Sequence, residues 1–258
     1  MSLRLAAVLA LTSAALFGQA RFNGTWEMKM DTLQFSGPPE NYVIEKGMYH
    51  CLSCVPKVEV KTDGSDQKVA GHESFYDTIA VRILDPYAVS FTFKKNGKPA
   101  ATSVETVSTD GTTMTEDFSN STEADPVVGK AGFTRVSPGP PGSHALSGEW
   151  RMDTVKNSTA AGTLTTFEGI DGGLKISDGI QTYAAKFDGT DYPIGRSGHA
   201  TIALRLIDEY TLEETDKRDG KVMTVARMTV SKDGKSMKVE SSDKQHGGTM
   251  TYTARKQP

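Results

Sequence analysis

Apolar and polar residues alternate along most of the chain beyond residue 20, which is the pattern of strands with one buried face. Val89, Phe91 and Phe93 alternate with polar neighbours, as Ile202 and Leu204 do later in the chain. No stretch beyond residue 20 has the 3.6-residue period of an amphipathic helix. The pattern therefore predicts a protein that is almost entirely β-structure.

Turn signals separate these alternating runs. Asp-Gly and Asn-Gly suit the positive φ angles of two-residue hairpin turns, which match the twist of the flanking strands. The pairs are Asp63-Gly64, Asn96-Gly97, Asp110-Gly111, Asp188-Gly189, Asp219-Gly220 and Asp233-Gly234. In the second half, strands are predicted at 149–154, 163–169, 172–177, 181–187, 200–207, 210–216, 221–231, 235–242 and 248–255.

One long segment occurs twice. Residues 78–115 and 201–238 align without a gap and are identical at about 16 of 38 positions, which indicates an internal duplication. Three prolines and two glycines stand in residues 137–145, between the two copies. Such a stretch continues neither a strand nor a helix, so it predicts a short, stiff linker. The predicted domains are therefore 22–136 and 146–256, joined by 137–145.

Each domain has eight or nine short antiparallel strands in about 115 residues, and a flat sheet of this kind would leave two exposed edges. Closing the sheet on itself removes the edges and encloses a small interior. We therefore predict two tandem up-and-down β-barrels. A single split sandwich built from both repeats is the alternative.

The ends of the repeats carry a pair of motifs. Gly-x-Trp opens each repeat, at Trp26 and Trp150, and an arginine closes each, at Arg135 and Arg255. In this respect the sequence resembles the lipocalin and calycin superfamily, and the tandem pattern is also similar to that of exported bacterial proteins. The resemblance implies lipocalin-like barrels in which Trp26 pairs with Arg135, and Trp150 with Arg255. A guanidinium over an indole ring would then close the bottom of each barrel through a cation–π contact.

The N-terminus has the form of a signal peptide over residues 1–20. Arg4 supplies the positive charge, residues 5–17 an apolar run, and Gly18-Gln19-Ala20 a cleavage site of the small-x-small type. The apolar run is short for a membrane span, and no other stretch approaches that length. The sequence therefore predicts export to the periplasm or the extracellular space, with no span in the mature chain. An uncleaved anchor is the alternative.

Charge and side-chain chemistry exclude several classes of function. The chain has 29 Lys and Arg against 32 Asp and Glu, so it lacks the basic patch of a nucleic-acid-binding protein. No nucleophile, base and orienting group can be assembled, so no catalytic residue, cofactor or metal is predicted. The five histidines, His50, His72, His144, His199 and His246, show no metal-binding spacing. Contacts at the barrel rim or solvated loops explain them, and a haem or metal ligand is the sharper alternative.

Cys51 and Cys54 are the only two cysteines. In an oxidising compartment we expect them to pair in a small disulfide loop. A thioredoxin-like redox pair is less favoured because Val55-Pro56-Lys57 leads into a strand instead of a helix. Free thiols and pairing between chains are the remaining possibilities.

Arg82 and Arg205 recur at equivalent positions on otherwise apolar strands, each followed by an aspartate three residues later. An arginine on such a strand is a candidate to point into the barrel and hold the carboxylate of a ligand. An ion pair on the outer face is the alternative. The sequence favours a binding protein for a small apolar or amphipathic ligand. The alternative is a structural or protein-interaction module with packed barrels, and the sequence does not indicate an oligomeric state.

Overall fold

A computed structural model describes residues 19–72, 76–120, 127–156, 160–178, 181–194, 200–245 and 247–258 of the chain. In these residues the fold is all-β, as predicted, with two ten-stranded antiparallel sheets that each curl into a nearly closed barrel. Only residues 19 and 20 of the predicted signal peptide fall within the described ranges. None of the helical segments found there has the length and apolar character needed to cross a membrane.

The chain divides into two compact units whose limits differ from those of the predicted domains. One unit is the unbroken segment Phe35–Gly162, which we call the continuous barrel. The other combines the N-terminal segment that ends at Gln34 with Thr163–Pro258, and we call it the split barrel. The continuous barrel is thus inserted, in sequence, after the first strand of the split barrel.

The continuous barrel contains ten consecutive strands. They are β2 (Glu40–Glu45), β3 (Met48–Cys51), β4 (Val58–Lys61), β5 (Gln67–Lys68), β6 (Thr78–Asp85), β7 (Ala88–Lys95), β8 (Lys98–Val107), β9 (Thr113–Asn120), β10 (Val127–Pro138) and β11 (Gly148–Lys156). Their order in the sheet is β4-β3-β2-β11-β10-β9-β8-β7-β6-β5. The last strand in sequence, β11, therefore lies between β2 and β10.

The split barrel repeats this order with its first strand taken from the N-terminus. Its strands are β1 (Gly24–Ser36), β12 (Leu164–Ile170), β13 (Gly173–Ser177), β14 (Thr182–Lys186), β15 (Tyr192–Ile194), β16 (Ala200–Leu206), β17 (Thr211–Arg218), β18 (Lys221–Val230), β19 (Ser236–Asp243) and β20 (Thr249–Lys256), and a 3-10 turn at Ala160–Thr163 precedes β12. The sheet order is β14-β13-β12-β1-β20-β19-β18-β17-β16-β15. Thus β1 occupies the place that β11 occupies in the continuous barrel.

The predicted partition at residues 137–145 is wrong. Ser137 and Pro138 are the last two residues of β10, and the rest of the segment lies in the loop between β10 and β11, two neighbouring strands of one barrel. Ordered hydrogen bonds hold the loop: Gly139 N donates to Ser147 O at 3.1 Å, and Ser147 N donates to His144 O at 2.9 Å. A proline-rich composition reveals that regular structure stops, but both a linker and a long hairpin loop meet that condition.

Proline also gives a physical reason why β1 does not pair with β2, the strand that follows it in sequence. Only residues 37–39, Gly-Pro-Pro, separate β1 from β2. Pro38 and Pro39 have fixed φ angles and no N–H, so they cannot provide the ladder bonds of a tight hairpin that would turn β1 back onto β2. An extended connection to another sheet requires no such turn.

Each sheet is brought nearly to closure by the same device. Past the end of β4, Asp63 forms an isolated bridge with Arg82 of β6, and Gly64 N donates to Val81 O at 2.8 Å. Past the end of β14, Asp188 forms the equivalent bridge with Arg205 of β16. These bridges join the two ends of each sheet, which would otherwise be exposed edges.

Short turns set the register of the hairpins. Asn96-Gly97 and Asp219-Gly220 have positive φ at both positions, as predicted for two-residue hairpins. The predicted strands of the second half agree with the observed ones to within one or two residues, and β15 is the strand that was missed. Identical strand order in the two barrels is what a duplication would produce, although the duplication itself remains an inference from the sequence.

Candidate functional site

A tryptophan closes one end of each barrel, but its partners differ from the predicted pairs. Trp150 is fully buried, and the guanidinium of Arg135 lies 3.9 Å from the centre of its ring system. Trp26 has Lys256 as its cation, with Nζ at 5.2 Å. The predicted Trp26–Arg135 pair is wrong because β1 and β10 belong to different barrels.

The predicted Trp150–Arg255 pair is wrong for the same reason, and Arg255 also faces outward. Ala254 lies opposite Met237 in the split barrel, as Phe133 lies opposite Met114 in the continuous barrel. The structural counterpart of Arg135 is therefore Lys256. Inward positions alternate, so aligning the two repeats on their last arginine instead placed an outward side chain in the barrel end.

Both tryptophans are anchored in the same way, and Arg135 adds a network that Lys256 lacks. Nε1 of Trp150 donates to Leu146 O at 2.8 Å, and Nε1 of Trp26 donates to Phe22 O at 2.7 Å. Arg135 donates through Nη1 and Nη2 to Ser147 O and Ala145 O at 2.7 and 2.6 Å, and through Nε to Gly111 O. Arg135 therefore ties the β10–β11 loop to the barrel end.

Arg82 and Arg205 do not point into the barrels. Both side chains are exposed, so the expectation that they hold a ligand carboxylate inside the barrels is wrong. Arg82 lies across the turn at Gly64, where a Cβ would come within 2.7 Å of Arg82 Nε. Because Gly64 also has φ +79°, glycine is required there for both space and conformation. Both arginines therefore lie at the closing bridges of the barrels, with their side chains on the exposed face.

The aspartates that follow these arginines serve the next turn. Asp85 Oδ1 accepts a hydrogen bond from Tyr87 N at 2.7 Å, and Asp208 Oδ1 accepts one from Tyr210 N at 2.7 Å. The recurring Arg and Asp residues therefore have separate structural roles, and the structure does not join them as a ligand-binding pair.

The predicted disulfide is confirmed. Cys51 and Cys54 are bonded, with their Cα atoms 5.4 Å apart. Cys51 is buried in the core of the continuous barrel, whereas Leu52 and Val55 are exposed. The disulfide therefore fixes a small loop at the end of β3 to the barrel wall.

The described histidines have structural contacts. His72 Nε2 lies 2.9 Å from Pro56 O, with its ring stacked on Tyr76, and His144 Nε2 lies 2.8 Å from Asp85 O. His50 lies 3.7 Å from Glu59, and His199 and His246 are outside the described residues. Within the described ranges, no three His, Cys, Asp or Glu side chains come together in a way that could hold a metal ion.

A layer of carboxyl groups lies inside the continuous barrel, and sequence reasoning missed it. Glu105 on β8 is directly opposite Glu116 on β9, and Val107 and Met114 form the next inward pair toward the Trp150 end. Glu40 on β2 is close enough for its charge to act on Glu105. The glutamates therefore form a polar layer beside an apolar one, and we call Glu40, Glu105 and Glu116 the glutamate layer.

Burial suppresses ionisation of the glutamate layer. Burial, followed by the charges of Glu116 and Glu40, raises the pKa of Glu105 well above its usual range. Burial and Glu116 raise the pKa of Glu40 to about 7, and burial raises the pKa of Glu116 despite a hydrogen bond from Ser103. Like charges facing each other across a sheet are unfavourable, so at neutral pH the layer retains protons.

Glu105 is the exceptional member of this layer. Glu105 is only 9% exposed, and its Oε2 atom is buried with no hydrogen-bond partner among the described residues. Glu40, by contrast, accepts a hydrogen bond from the Tyr42 hydroxyl. A buried polar atom without a partner costs about 1–3 kcal/mol, so Glu105 lowers the stability of the barrel unless something else satisfies it.

The split barrel also buries carboxyl groups, but on a different strand. Glu214 on β17 is 9% exposed and accepts a hydrogen bond from the Tyr183 hydroxyl at 2.9 Å. Burial and the charge of Asp216 raise the pKa of Glu214 to about 8, and burial and Asp178 raise that of Asp216 to about 6. Glu214 thus has the partner that Glu105 Oε2 lacks.

Comparison with protein families and with curated proteins adds no candidate. No protein-family model matches the chain, and no curated protein matches it. The lipocalin and calycin resemblance therefore stays a prediction, and the function must be argued from the barrels themselves.

The signal that identifies the glutamate layer is present in the sequence. Strand β8 reads Ser103, Glu105 and Val107 on its inward face, so a glutamate occupies a position where the alternation requires a buried residue. A charged residue at an inward position is almost never fully buried without a partner. From the sequence alone it is not known which face of β8 points inward, so Glu105 looks like an ordinary outward glutamate.

Proposed function

We propose that the chain is an exported binding protein that holds a small amphipathic molecule, with an apolar body and a hydrogen-bond-donating or cationic head group, inside the continuous barrel. The observation that carries the proposal is the buried, unpartnered Oε2 atom of Glu105, opposite Glu116. A protonated amine is the group that best completes such a site, because it donates hydrogen bonds and neutralises the carboxylates together.

The charge of the proposed head group follows from which side chains face inward. The exposed positions of Arg82 and Arg205 remove the reason to expect an anionic ligand. The inward carboxyl groups favour the opposite sign. Aromatic and aliphatic side chains around them, including Tyr49 and Phe91 with ring centres 5.2 Å apart, suit an apolar body of modest size. Amine binding would lower the pKa values of the glutamate layer and release protons near pH 7.

Three probes of equal size test the proposal on the full chain: hexylamine, hexanol and hexanoate. We expect saturable binding by calorimetry in the order hexylamine, hexanol, hexanoate, with proton release for hexylamine alone. Glu105→Gln preserves the shape of the side chain but removes its charge, and should weaken hexylamine binding by more than about 30-fold. Glu59→Gln, an exposed glutamate of the same barrel, is the matched control and should bind as the parent does.

A second candidate function is a structural or protein-interaction module with packed barrels. The observation in its favour is the density of large buried side chains in the continuous barrel, with Trp150, Leu146 and Met114 each at most 1% exposed. If none of the three probes binds, or if hexylamine binding is unchanged in Glu105→Gln, the ligand proposal is refuted and the packed module is favoured.

A further inference from the structure

The two barrels differ in how the chain supplies their strands. The continuous barrel is complete once residues 35–162 exist, because all ten of its strands lie within that range. The split barrel requires β1 between β12 and β20, and these neighbours come more than a hundred residues later in the sequence. The first described strand of the chain thus fills a slot that is finished last.

β1 contributes to its slot through side chains and backbone. Trp26 is 1% exposed within the core of the split barrel, and Phe22 beside it is fully buried. Gln257 N donates to Thr25 O at 2.8 Å, and Thr253 N donates to the Thr32 hydroxyl at 2.9 Å. Without β1, the edges of β12 and β20 would be bare and the barrel end would lack its tryptophan.

The order of the chain leaves β1 without its partners during synthesis and folding. The continuous barrel can fold as soon as Gly162 is available, whereas the slot for β1 waits for β20 at Thr249–Lys256. Throughout that interval β1 is an unpaired strand. The contacts that the slot offers are the same whichever molecule supplies the strand.

We propose that the slot between β12 and β20 accepts β1 from a second copy of this chain, so that two chains can exchange their first strands. The contacts in the exchanged form are identical to those in the closed form. The two forms therefore differ mainly in whether a chain's own β1 or a neighbour's arrives first. The partner is thus a second molecule of the same protein, and the interface is the β1 slot.

The expected amount of exchange depends on competition for the slot between the chain's own β1 and the β1 of a second molecule. Closing a loop of this length on itself costs little more than closing a shorter one, so the chain's own β1 acts at an effective concentration of about 1 mM. At 10 μM protein the exchanged fraction formed during refolding is then about 1%, and it rises about tenfold at 100 μM. Once the slot is closed, burial of Trp26 keeps the strand in place, so mixing folded chains produces no exchange.

A disulfide across the register of β1 and β12 makes the exchange visible. Thr25 lies opposite Thr166, and their hydroxyl oxygens are 3.0 Å apart on the exposed face. One full-length chain carries Thr25→Cys and another carries Thr166→Cys. The two are unfolded in urea without reductant, so that Cys51–Cys54 stays closed, then refolded together and oxidised. If β1 of one chain occupies the slot of the other, the two cysteines lie side by side and an interchain crosslink forms in excess of random crosslinking.

Two controls define the outcome. The doubly substituted chain, Thr25→Cys with Thr166→Cys, should crosslink within itself, and Thr25→Cys refolded with Thr102→Cys measures random crosslinking. A covalent dimer that exceeds the random level and increases about tenfold from 10 to 100 μM supports exchange. Complete crosslinking within the double variant, with no excess dimer at 100 μM, overturns it. Failure of the double variant to crosslink overturns the β1–β12 pairing on which the proposal rests.

Discussion

Replacing Glu214 by glutamine should make the split barrel more stable in alkaline solution. Glu214 is buried against Tyr183, and its pKa is about 8 instead of the ordinary 4.5. The folded state therefore binds the proton more tightly than the unfolded state does. Its contribution to stability is complete below pH 4.5 and is lost as the pH rises through about 8.

The size of the effect follows from that difference. At about 1.4 kcal/mol for each pKa unit, Glu214 lowers the free energy of unfolding by about 4 kcal/mol between pH 5 and pH 9. Asp216, whose pKa is raised from 3.8 to about 6, loses most of its contribution below that window. It adds about 1 kcal/mol. Glu214→Gln should remove the larger part, because glutamine has the same shape, still accepts from Tyr183 and does not ionise.

The free energy of unfolding can be measured by urea titration at pH 5, 7 and 9, with tryptophan fluorescence as the signal. The chain has two tryptophans, one in each barrel, so a Trp150→Phe background leaves Trp26 as the reporter of the split barrel. The variant should match its parent at pH 5 within about 1 kcal/mol and exceed it by about 4 kcal/mol at pH 9.

Glu213→Gln is the matched control, since Glu213 is the adjacent residue and pairs with Arg227 at 2.9 Å near the surface. It should retain the full pH dependence of the parent. If Glu214→Gln loses as much stability between pH 5 and pH 9 as its parent, the proton is not held at Glu214 and the explanation from burial fails.

Three further outcomes follow from the contacts. Arg135→Met should destabilise the continuous barrel by about 3 kcal/mol or more in urea unfolding, because three hydrogen bonds from a charged group are lost. Lys256→Met should cost the split barrel about 1 kcal/mol or less, and equal effects would show that the hydrogen bonds of Arg135 add nothing to its cation–π contact. Thiol labelling of unreduced, denatured protein should modify neither Cys51 nor Cys54, and two labelled thiols would contradict the disulfide. Arg205→Met should change stability by no more than about 1 kcal/mol, and a larger loss would show that the closing bridge depends on the guanidinium.

Sequence periodicity was sufficient for the strands but not for their partners. Alternation is a local property, and so the runs of the second half predicted nine of its strands nearly to the residue. The place of β1 in a sheet depends on neighbours that lie beyond residue 163, and no local pattern encodes that choice. Residues 37–39 carried the one relevant signal, since Gly-Pro-Pro disfavours a tight return to β2.

The errors at the candidate site have the same origin, because a local sequence pattern does not reveal which residues become neighbours in the fold. Arg82 and Arg205 both stand at the bridge that closes a sheet, beside a glycine turn, and recurrence alone cannot distinguish that position from a ligand-binding one. The disulfide was predictable because two cysteines three residues apart offer a single pairing within the chain. Which arginine faces inward at a barrel end depends on the register of the last strand, and counting back from the C-terminus does not reveal it.

The positions of the buried carboxyl groups argue that the two interiors have separate roles. In the gapless alignment of the two copies, Glu105 corresponds to Met228 and Glu214 to Phe91. Each carboxyl group is therefore replaced by an apolar side chain at the equivalent position of the other barrel. A polar group required by the fold itself would occupy the same position in both. Each interior can evidently be built without the carboxyl group that the other contains, because Met228 and Phe91 are buried in cores of the same strand order. Glu105 and Glu214 are therefore individual features of each barrel, and the strand order that the two barrels share does not explain why either is buried.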